Sequence, residues 1–423
     1  MKILEGTEHK EGRKTEEHRA EEKIMEEREG NIKKEEVIYQ LRNLKEKKAM
    51  AEDGLGNEVW KYAPKEVGEA LWELLRKIWN EEGIPEDWKK GVICPIYKKG
   101  DKKVAKSYRE VTLMGTAHKI YAGILERLET EIKTKLEESQ FGFRKGRGVT
   151  DAVFVINHII DKQLSGEKGK LYACFADLKV VFDKLNREKL EKKMRKMGIS
   201  EKLIRRIKEL YAETKNVVRI KNHNTKRFWT VRGVRQGCPL SPTLFNIYVA
   251  GLEEELRKGQ AGGIVVGERK VWSLTYADDT VLMAVREEEL KEMLKRFKKF
   301  LKEAELKLST EKTKILDFEK RRNKRRHRKW KWGEQDLEEV DEIRYLGYIL
   351  QKNGSDEKYI QDRKKRATIA MKNTWSVGER IFKQDYKRRM KMFGAHLRAW
   401  RCLEQRYVAG TWKKDWIEYK ENM

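Results

Sequence analysis

Cysteine and proline are scarce in this chain, with four and five residues respectively among 423. Cys94, Cys174, Cys238 and Cys402 stand far apart. They offer neither zinc-ligand spacing nor a disulfide framework, which points to a reducing compartment. All five prolines lie at or before Pro242, and the remainder, free of this breaker, suits the long helical patterns at 287–305 and 354–400. No apolar run approaches the roughly 18 residues of a membrane span, so no membrane placement is expected. The first thirty residues are almost continuously charged and show no signal pattern. The seven histidines, His9, His18, His118, His158, His223, His327 and His396, have no metal-ligand spacing. Positive charge is abundant instead. Lys and Arg number 97 against 70 Asp and Glu, a formal charge of +27, which calls for a polyanionic partner, either nucleic acid or an anionic surface.

Residues 1–35 are rich in Lys and Glu and read as a charged, loosely ordered tail. Helical patterns follow around Val37, Ile38, Leu41 and Leu44, and again from Val59 to Trp79. Gly91–Tyr97 is strand-like. An amphipathic helix is expected from His118 to Glu138, with Ile120, Ile124, Leu125, Leu128 and Ile132 on one side. Another helix begins at Asp151. Strands and helices then alternate to about residue 318, and no internal repeat is present. The pattern by itself says α+β with long helices.

The run Tyr276-Ala277-Asp278-Asp279 lies between two apolar segments that read as strands, so the paired carboxylates fall on a hairpin turn. Adjacent aspartates repel, and a hard divalent cation offsets that repulsion through carboxylate oxygens. A third carboxylate, Asp177, ends the strand-like run Leu171–Ala176. If the three converge, they form a site for two ions about 3.5–4 Å apart, able to activate an attacking hydroxyl and stabilise a leaving pyrophosphate. Taken singly, each aspartate reads equally as a solvated turn residue or a helix cap. Between the two carboxylate sites stands Arg235-Gln236-Gly237-Cys238-Pro239-Leu240-Ser241-Pro242, with Ser241 expected as N-cap and Pro242 in the first helical turn.

This order, strand-Asp, then Arg-Gln-Gly-x-Pro-x-Ser-Pro with its helix, then Tyr-Ala-Asp-Asp, resembles motifs A, B and C of reverse transcriptases, among them the non-LTR (LINE-type) retrotransposon enzymes. Ser107–Leu113, His118–Leu125 and Gln140–Gly148 through Asp151 resemble fingers segments of that family. Leu306–Lys314 resembles motif D, and Arg344–Tyr348 resembles motif E, the primer grip. The resemblance covers roughly residues 35–400. It implies an α+β right-hand polymerase architecture, with an antiparallel palm sheet backed by helices. The implied divisions are a tail at 1–35, an N-terminal extension and fingers at 36–170, palm at 171–353 and a partial thumb at 354–423.

The resemblance also implies roles. Asp177, Asp278 and Asp279 are the catalytic, metal-holding residues for two Mg²⁺ ions, with Mn²⁺ as an alternative. Phe182 looks like a gate against a ribose 2′-hydroxyl, or else a core residue; the adjacent Asp183 is the kind of group that accepts such a hydroxyl in RNA-making polymerases. Gln236 and Gly237 line the nucleotide side, and Arg144 and Lys145 face the triphosphate, unless they are a solvated loop. Lys312 or Lys314 acts near the pyrophosphate. Tyr345, Leu346 and Gly347 support the primer end, or simply pack a strand. The implied partners are an RNA template, a DNA primer and deoxynucleoside triphosphates; no oligomeric state is implied. The basic run Lys320–Lys329, followed by Trp330 and Trp332, suits phosphate contacts and base stacking, a nuclear localisation signal, or a solvated loop.

Three departures from the family pattern stand out. Val181 replaces an Ala beside the nucleotide, where extra methyls crowd the pocket. Glu110 replaces a Gly and brings negative charge near phosphates. Met50-Ala51 replaces a Pro-Gly. With no room for an endonuclease domain, no Cys/His knuckle and an end after Trp400 that looks cut short, the sequence reads as a fragment or a decaying copy of a mobile element. The expected function is an RNA-directed DNA polymerase; the alternative is a catalytically dead nucleic-acid-binding remnant.

Overall fold

A computed structural model describes residues 29–80, 83–166, 169–221, 223–320 and 328–405, with side chains to residue 395. Most of the charged tail, seven residues of the basic run (321–327), and residues 406–423 of the expected thumb lie outside the described residues. The strands in chain order are β1 (Lys90–Tyr97), β2 (Tyr108–Leu113), β3 (Lys170–Asp177), β4 (Thr214–Ile220), β5 (His223–Asn224), β6 (Phe228–Thr230), β7 (Ile264–Val266), β8 (Arg269–Val271), β9 (Ser273–Tyr276), β10 (Asp279–Ala284), β11 (Lys314–Glu319), β12 (Trp330–Trp332), β13 (Gln335–Glu339), β14 (Glu342–Tyr345) and β15 (Tyr348–Gln351). Two compact units form. One comprises the described residues through Glu138, with Leu178–Leu252 and Phe300–Lys307. The other comprises Ser139–Asp177, Glu253–Lys299 and the described residues from Leu308 on.

In the first unit, β2, β1, β4 and β5 form a sheet in that order, with β6 also on β4. β1 pairs antiparallel with β2 and parallel with β4. Helix starts follow local chemistry. Asn186 caps Arg187–Lys196 by accepting from the Glu188 and Lys189 amides at 3.0 and 3.1 Å, and Ser200 caps Glu201–Tyr211 through the Leu203 amide at 3.2 Å. Pro64 sets the start of Lys65–Trp79, which buries Leu71, Leu75, Ile78 and Trp79.

Two helix expectations change here. The stretch His118–Glu138 is two helices, Thr116–Ile124 and Arg127–Ile132. A bend at Leu125 and Glu126 lets both Leu125 and Leu128 reach the interior. Ser241 lies inside the helix Ser241–Val249 instead of capping it. Its hydroxyl donates to the Arg235 carbonyl at 2.8 Å and bonds the Tyr211 hydroxyl at 3.0 Å. A long-range hydrogen-bond demand has outcompeted the capping preference.

Val180 takes φ +49, ψ +47 with its side chain 55% exposed. For a β-branched residue this backbone costs roughly 1–2 kcal/mol, and the exposed side chain contributes little packing in return. Val180→Gly is therefore expected to stabilise the protein by about 1 kcal/mol net of glycine's extra unfolded-state entropy, measured as the shift in urea midpoint.

In the second unit, six strands run in the order β12-β13-β11-β3-β10-β9. The sheet is antiparallel as expected, except that β11 and β13 pair parallel. Residues Leu171–Ala176 of β3 are buried on both faces, which explains their unbroken apolar run. The helix Val149–Leu164 lays Ala152, Val153, Ile156, Ile159, Ile160 and Leu164 into the same core as Leu171, Ala173, Phe175, Leu274, Val281 and Leu316. The pattern at 354–400 resolves into two helices, Glu357–Phe382 and Tyr386–Gln405, broken at Lys383 with φ +44.

At the described end of the basic run Lys329 is exposed, but Arg328 is engaged within the protein. Arg328 pairs with Asp317 and Glu287 and is 12% exposed at its side chain. Trp330 is 1% exposed and packs 5.9 Å from Tyr172, while Trp332 meets Phe297 edge-on at 5.9 Å. Trp330 is therefore a packing residue in this unit, and the stacking role expected for it is corrected, whereas Trp332 stays half-exposed. An apolar interior is the more favourable place for an indole once β12 and β13 pair. No described helix is long and apolar enough to cross a membrane.

Candidate active site

Within the second unit, β10 runs antiparallel to β3 in a register that sets Asp279 directly opposite Asp177. β9 pairs with β10 through Tyr276 and Asp279, so the expected hairpin forms with Ala277 and Asp278 as its two-residue turn; of the aspartate pair expected on that turn, Asp279 instead opens β10. Ala277 takes φ +56. The strand end carrying Asp177 is held by the loop that follows Leu308. The Asp177 amide donates to Thr313 Oγ1 at 3.3 Å, and the Ser309 amide donates to the Asp177 carbonyl at 2.8 Å.

Lys312 Nζ donates to both carboxylate oxygens of Asp177, at 3.2 and 3.1 Å. The Asp279 carboxyl is pushed up to about 6, first by burial, then by the charges of Asp278 and Asp177, with Lys312 opposing. Asp279 thus stands among like charges, with Lys312 as the opposing cation. Among the described residues, no group of three His, Cys, Asp or Glu side chains stands ready arranged around an ion. Asp177, Asp278 and Asp279 offer carboxylate oxygens, the donor type that hard divalent cations take.

A cavity of about 490 Å³ is lined by Asp177, Asp279, Lys312, Lys314, Tyr345 and Leu346, among others. Two of the three expected metal ligands, both pyrophosphate-side lysines and two of the three primer-grip residues therefore face one space, while Asp278 does not line it. Lys314 is also paired with Glu338. Tyr345 is 4% exposed and packs on Phe175 at 5.5 Å. Leu346 and Gly347, at φ +47 and +87, turn β14 into β15. Gly347 serves that turn and does not line the cavity. Arg144 is half-buried and donates from Nη1 to the Gln140 carbonyl at 3.3 Å, while Lys145 is exposed.

The remaining expected residues belong to the first unit. Phe182 is half-buried and stacks on Phe245 at 5.2 Å. Gln236 Nε2 donates to the Asp183 carboxylate at 3.3–3.4 Å. The Thr112 amide donates to the Gln236 carbonyl at 2.7 Å, which fixes the Gln-Gly segment against β2. Val181 is 3% exposed, so its methyls pack inside this unit instead of projecting into open space. Glu110 and Asp183, with Asn216, Phe228 and Gln236, line a second cavity of about 660 Å³.

The Asp183 carboxyl is pushed up to about 6, chiefly by burial and then by Glu110, with the Gln236 bond opposing. Glu110 thus places its charge beside Asp183. An acid whose folded pKa is raised binds its proton more readily when folded. Its cost is fully present above about pH 6 and is relieved as pH falls through that value. Asp183→Asn, which keeps an acceptor for Gln236, is expected to stabilise the protein by about 1 kcal/mol at pH 7.5, discounted for partial exposure. The gain over wild type should shrink towards zero near pH 4, read from urea melts of both proteins across that range.

Asn216 and Phe228 were not expected at a cavity, because β4 and β6 carry no motif. In the sequence Gly142 is one residue of the Gln140–Gly148 segment, with nothing local to single it out. Its importance lies in space: a Cβ built there would stand 2.2 Å from the Ala277 amide nitrogen.

Residues 96–350, more than half of the chain, match the family model "Reverse transcriptase (RNA-dependent DNA polymerase)". The chain is similar to the transposon TX1 uncharacterized 149 kDa protein of Xenopus laevis, 27% identical over 59% of this chain and 19% of that protein. It is similar to the probable RNA-directed DNA polymerase from transposon BS of Drosophila melanogaster, 26% identical over 60% of this chain and 28% of that protein. It is also similar to the Retrovirus-related Pol polyprotein from type-1 retrotransposable element R2 of Nasonia vitripennis, 28% identical over 52% of this chain and 22% of that protein. The chain thus spans less than a third of the length of these curated relatives. With its carboxylates in register on adjacent strands and its motifs in family order, the chain belongs to the reverse transcriptase family, in the non-LTR (LINE-type) group, and has the α+β right-hand polymerase fold.

Proposed function

We propose that this chain is an RNA-directed DNA polymerase of a mobile element. It would join a primer 3′-hydroxyl to the α-phosphorus of a deoxynucleoside triphosphate opposite an RNA template. The new phosphorus–oxygen bond forms as the bond to pyrophosphate breaks, and the hydroxyl proton is lost. The observation that carries this reading is the register of Asp177 against Asp279 across β3 and β10, with Asp278 in the adjoining turn. Two divalent cations, Mg²⁺ or Mn²⁺, would supply charge stabilisation of the attacking and leaving oxygens. Asp177 and Asp278 would hold them, with Asp279 completing the site, and the raised Asp279 carboxyl fits a position awaiting positive charge.

The chain's own residues would do the positioning. Phe182 excludes a 2′-hydroxyl, and Gln236 and Gly237 border the nucleotide. Arg144 and Lys145 neutralise the triphosphate, and Lys312 or Lys314 faces the departing pyrophosphate. Tyr345, Leu346 and Gly347 seat the primer end. RNA, a DNA primer and deoxynucleotides are the partners of this reading, and a nuclear address goes with it. A dead binding remnant is not favoured, since Asp177, Asp278, Asp279 and Gln236 are all present.

The test is extension of a DNA primer on an RNA template with Mg²⁺ and deoxynucleotides. Incorporation directed by template sequence supports the reading, and no extension across a range of salt concentrations overturns it.

A further inference from the structure

The catalytic turn does not stand alone on its hairpin. Ser139–Gly142 runs beside β9 as one more, very short, edge segment. The Thr275 amide donates to the Ser139 carbonyl at 2.9 Å, the Phe141 amide donates to the Thr275 carbonyl at 2.8 Å, and Gln140 forms a parallel bridge to Thr275. The segment is anchored at both ends. Ser139 Oγ donates to Glu253 at 2.6 Å, and Phe141 is buried in the core with Arg147 over its ring at 5.3 Å.

At its far end Gly142 lies flush against the turn backbone. A Cβ there would come within 2.2 Å of the Ala277 nitrogen, 2.9 Å of the Tyr276 carbonyl carbon and 3.1 Å of the Ala277 Cα. Gly142 does not take a positive φ, so its requirement is closeness, not backbone freedom. Backbone atoms on both sides of this contact leave no flexible side chain to yield.

We propose that Ser139–Gly142 is a positioning strand that sets where the Ala277–Asp278 turn stands, and so where the Asp278 and Asp279 carboxylates reach their ions; this rests on the polymerase reading above. Any side chain at position 142 lifts the turn away from the segment. A displacement on the order of 1 Å can cost about 10²-fold in rate when it moves reacting groups.

The experiment uses Gly142→Ala with two readouts. The first is Mn²⁺ affinity of the chain without primer or nucleotide, by electron paramagnetic resonance, with Asp278→Asn as the control that locates the ion. The second is single-nucleotide extension, separating kcat from the KM of the deoxynucleotide. The expected result is Mn²⁺ binding weakened about 10-fold, kcat lowered about 10²-fold, and KM within about threefold. If Gly142→Ala retains wild-type Mn²⁺ affinity and kcat while folded, the proposal is overturned. Should that variant fail to fold by circular dichroism, Ser139→Ala decides, since it loosens the anchor without a clash. Mn²⁺ binding weakened about threefold supports the proposal, and unchanged binding sinks it. A wild-type chain that binds Mn²⁺ but incorporates no nucleotide overturns the polymerase reading alone, leaving the positioning claim to be judged by affinity. Wild-type protein with no Mn²⁺ site overturns both.

Discussion

Asp177→Asn or Asp278→Asn is expected to lower primer extension by on the order of 10³-fold or more, equivalent to about 4 kcal/mol of transition-state stabilisation. Each substitution keeps size and hydrogen-bonding capacity but removes the charge that would hold a cation. Stability should barely change on Asp177→Asn. The partner lost is Lys312, whose side chain is 69% exposed, and exposed pairs contribute about 0–1 kcal/mol. RNA affinity should hold, because neutralising a carboxylate does not weaken attraction between a basic chain and phosphates. Single-turnover extension, a thermal melt and filter binding on the same preparations check the three statements together. Activity surviving in either variant would place the chemistry elsewhere.

Gly237→Ala is expected to cost about 3 kcal/mol of stability and to reduce extension about 10²-fold. Gly237 takes φ +111, where residues with a Cβ are strained, and the added carbon would sit 2.9 Å from the Thr112 carbonyl oxygen. The two effects share a cause. Thr112 also donates to the Gln236 carbonyl at 2.7 Å, so a shift that relieves the clash breaks the bond and carries the Gln236 side chain away from Asp183. A urea melt gives the first number and single-nucleotide kinetics the second. A variant with wild-type stability would show that β2 yields freely there. Gly237→Ser should resemble Gly237→Ala, because both the angle and the contact involve Cβ.

Much of the candidate site was legible because its chemistry is local in the chain. Adjacent aspartates between two apolar segments can occupy a hairpin turn, and β9 and β10 form that hairpin. The apolar run before Asp177 marks a strand buried on both faces, and β3 is one. What pattern reading misses are choices between local preferences and distant partners. Ser241 has every local reason to cap a helix, yet it bonds Tyr211 and Arg235. Trp330 follows basic residues and looks available for bases, yet pairing of β12 with β13 draws it into packing. The helical period from His118 onward continues without interruption, but the chain bends at Leu125 to place apolar residues from both halves in the interior.

The amino-acid order alone determined the set of carboxylates, the succession of motifs, the basic charge and therefore the family, since each depends on residue type and spacing along the chain. Only the tertiary structure decided that Asp177 and Asp279 are direct neighbours across two strands, that Lys312 reaches Asp177, and that Gly142 abuts the catalytic turn. These are contacts between segments separated by about a hundred residues or more, and they arise from strand register and close packing, which hydrophobic periodicity constrains but does not specify.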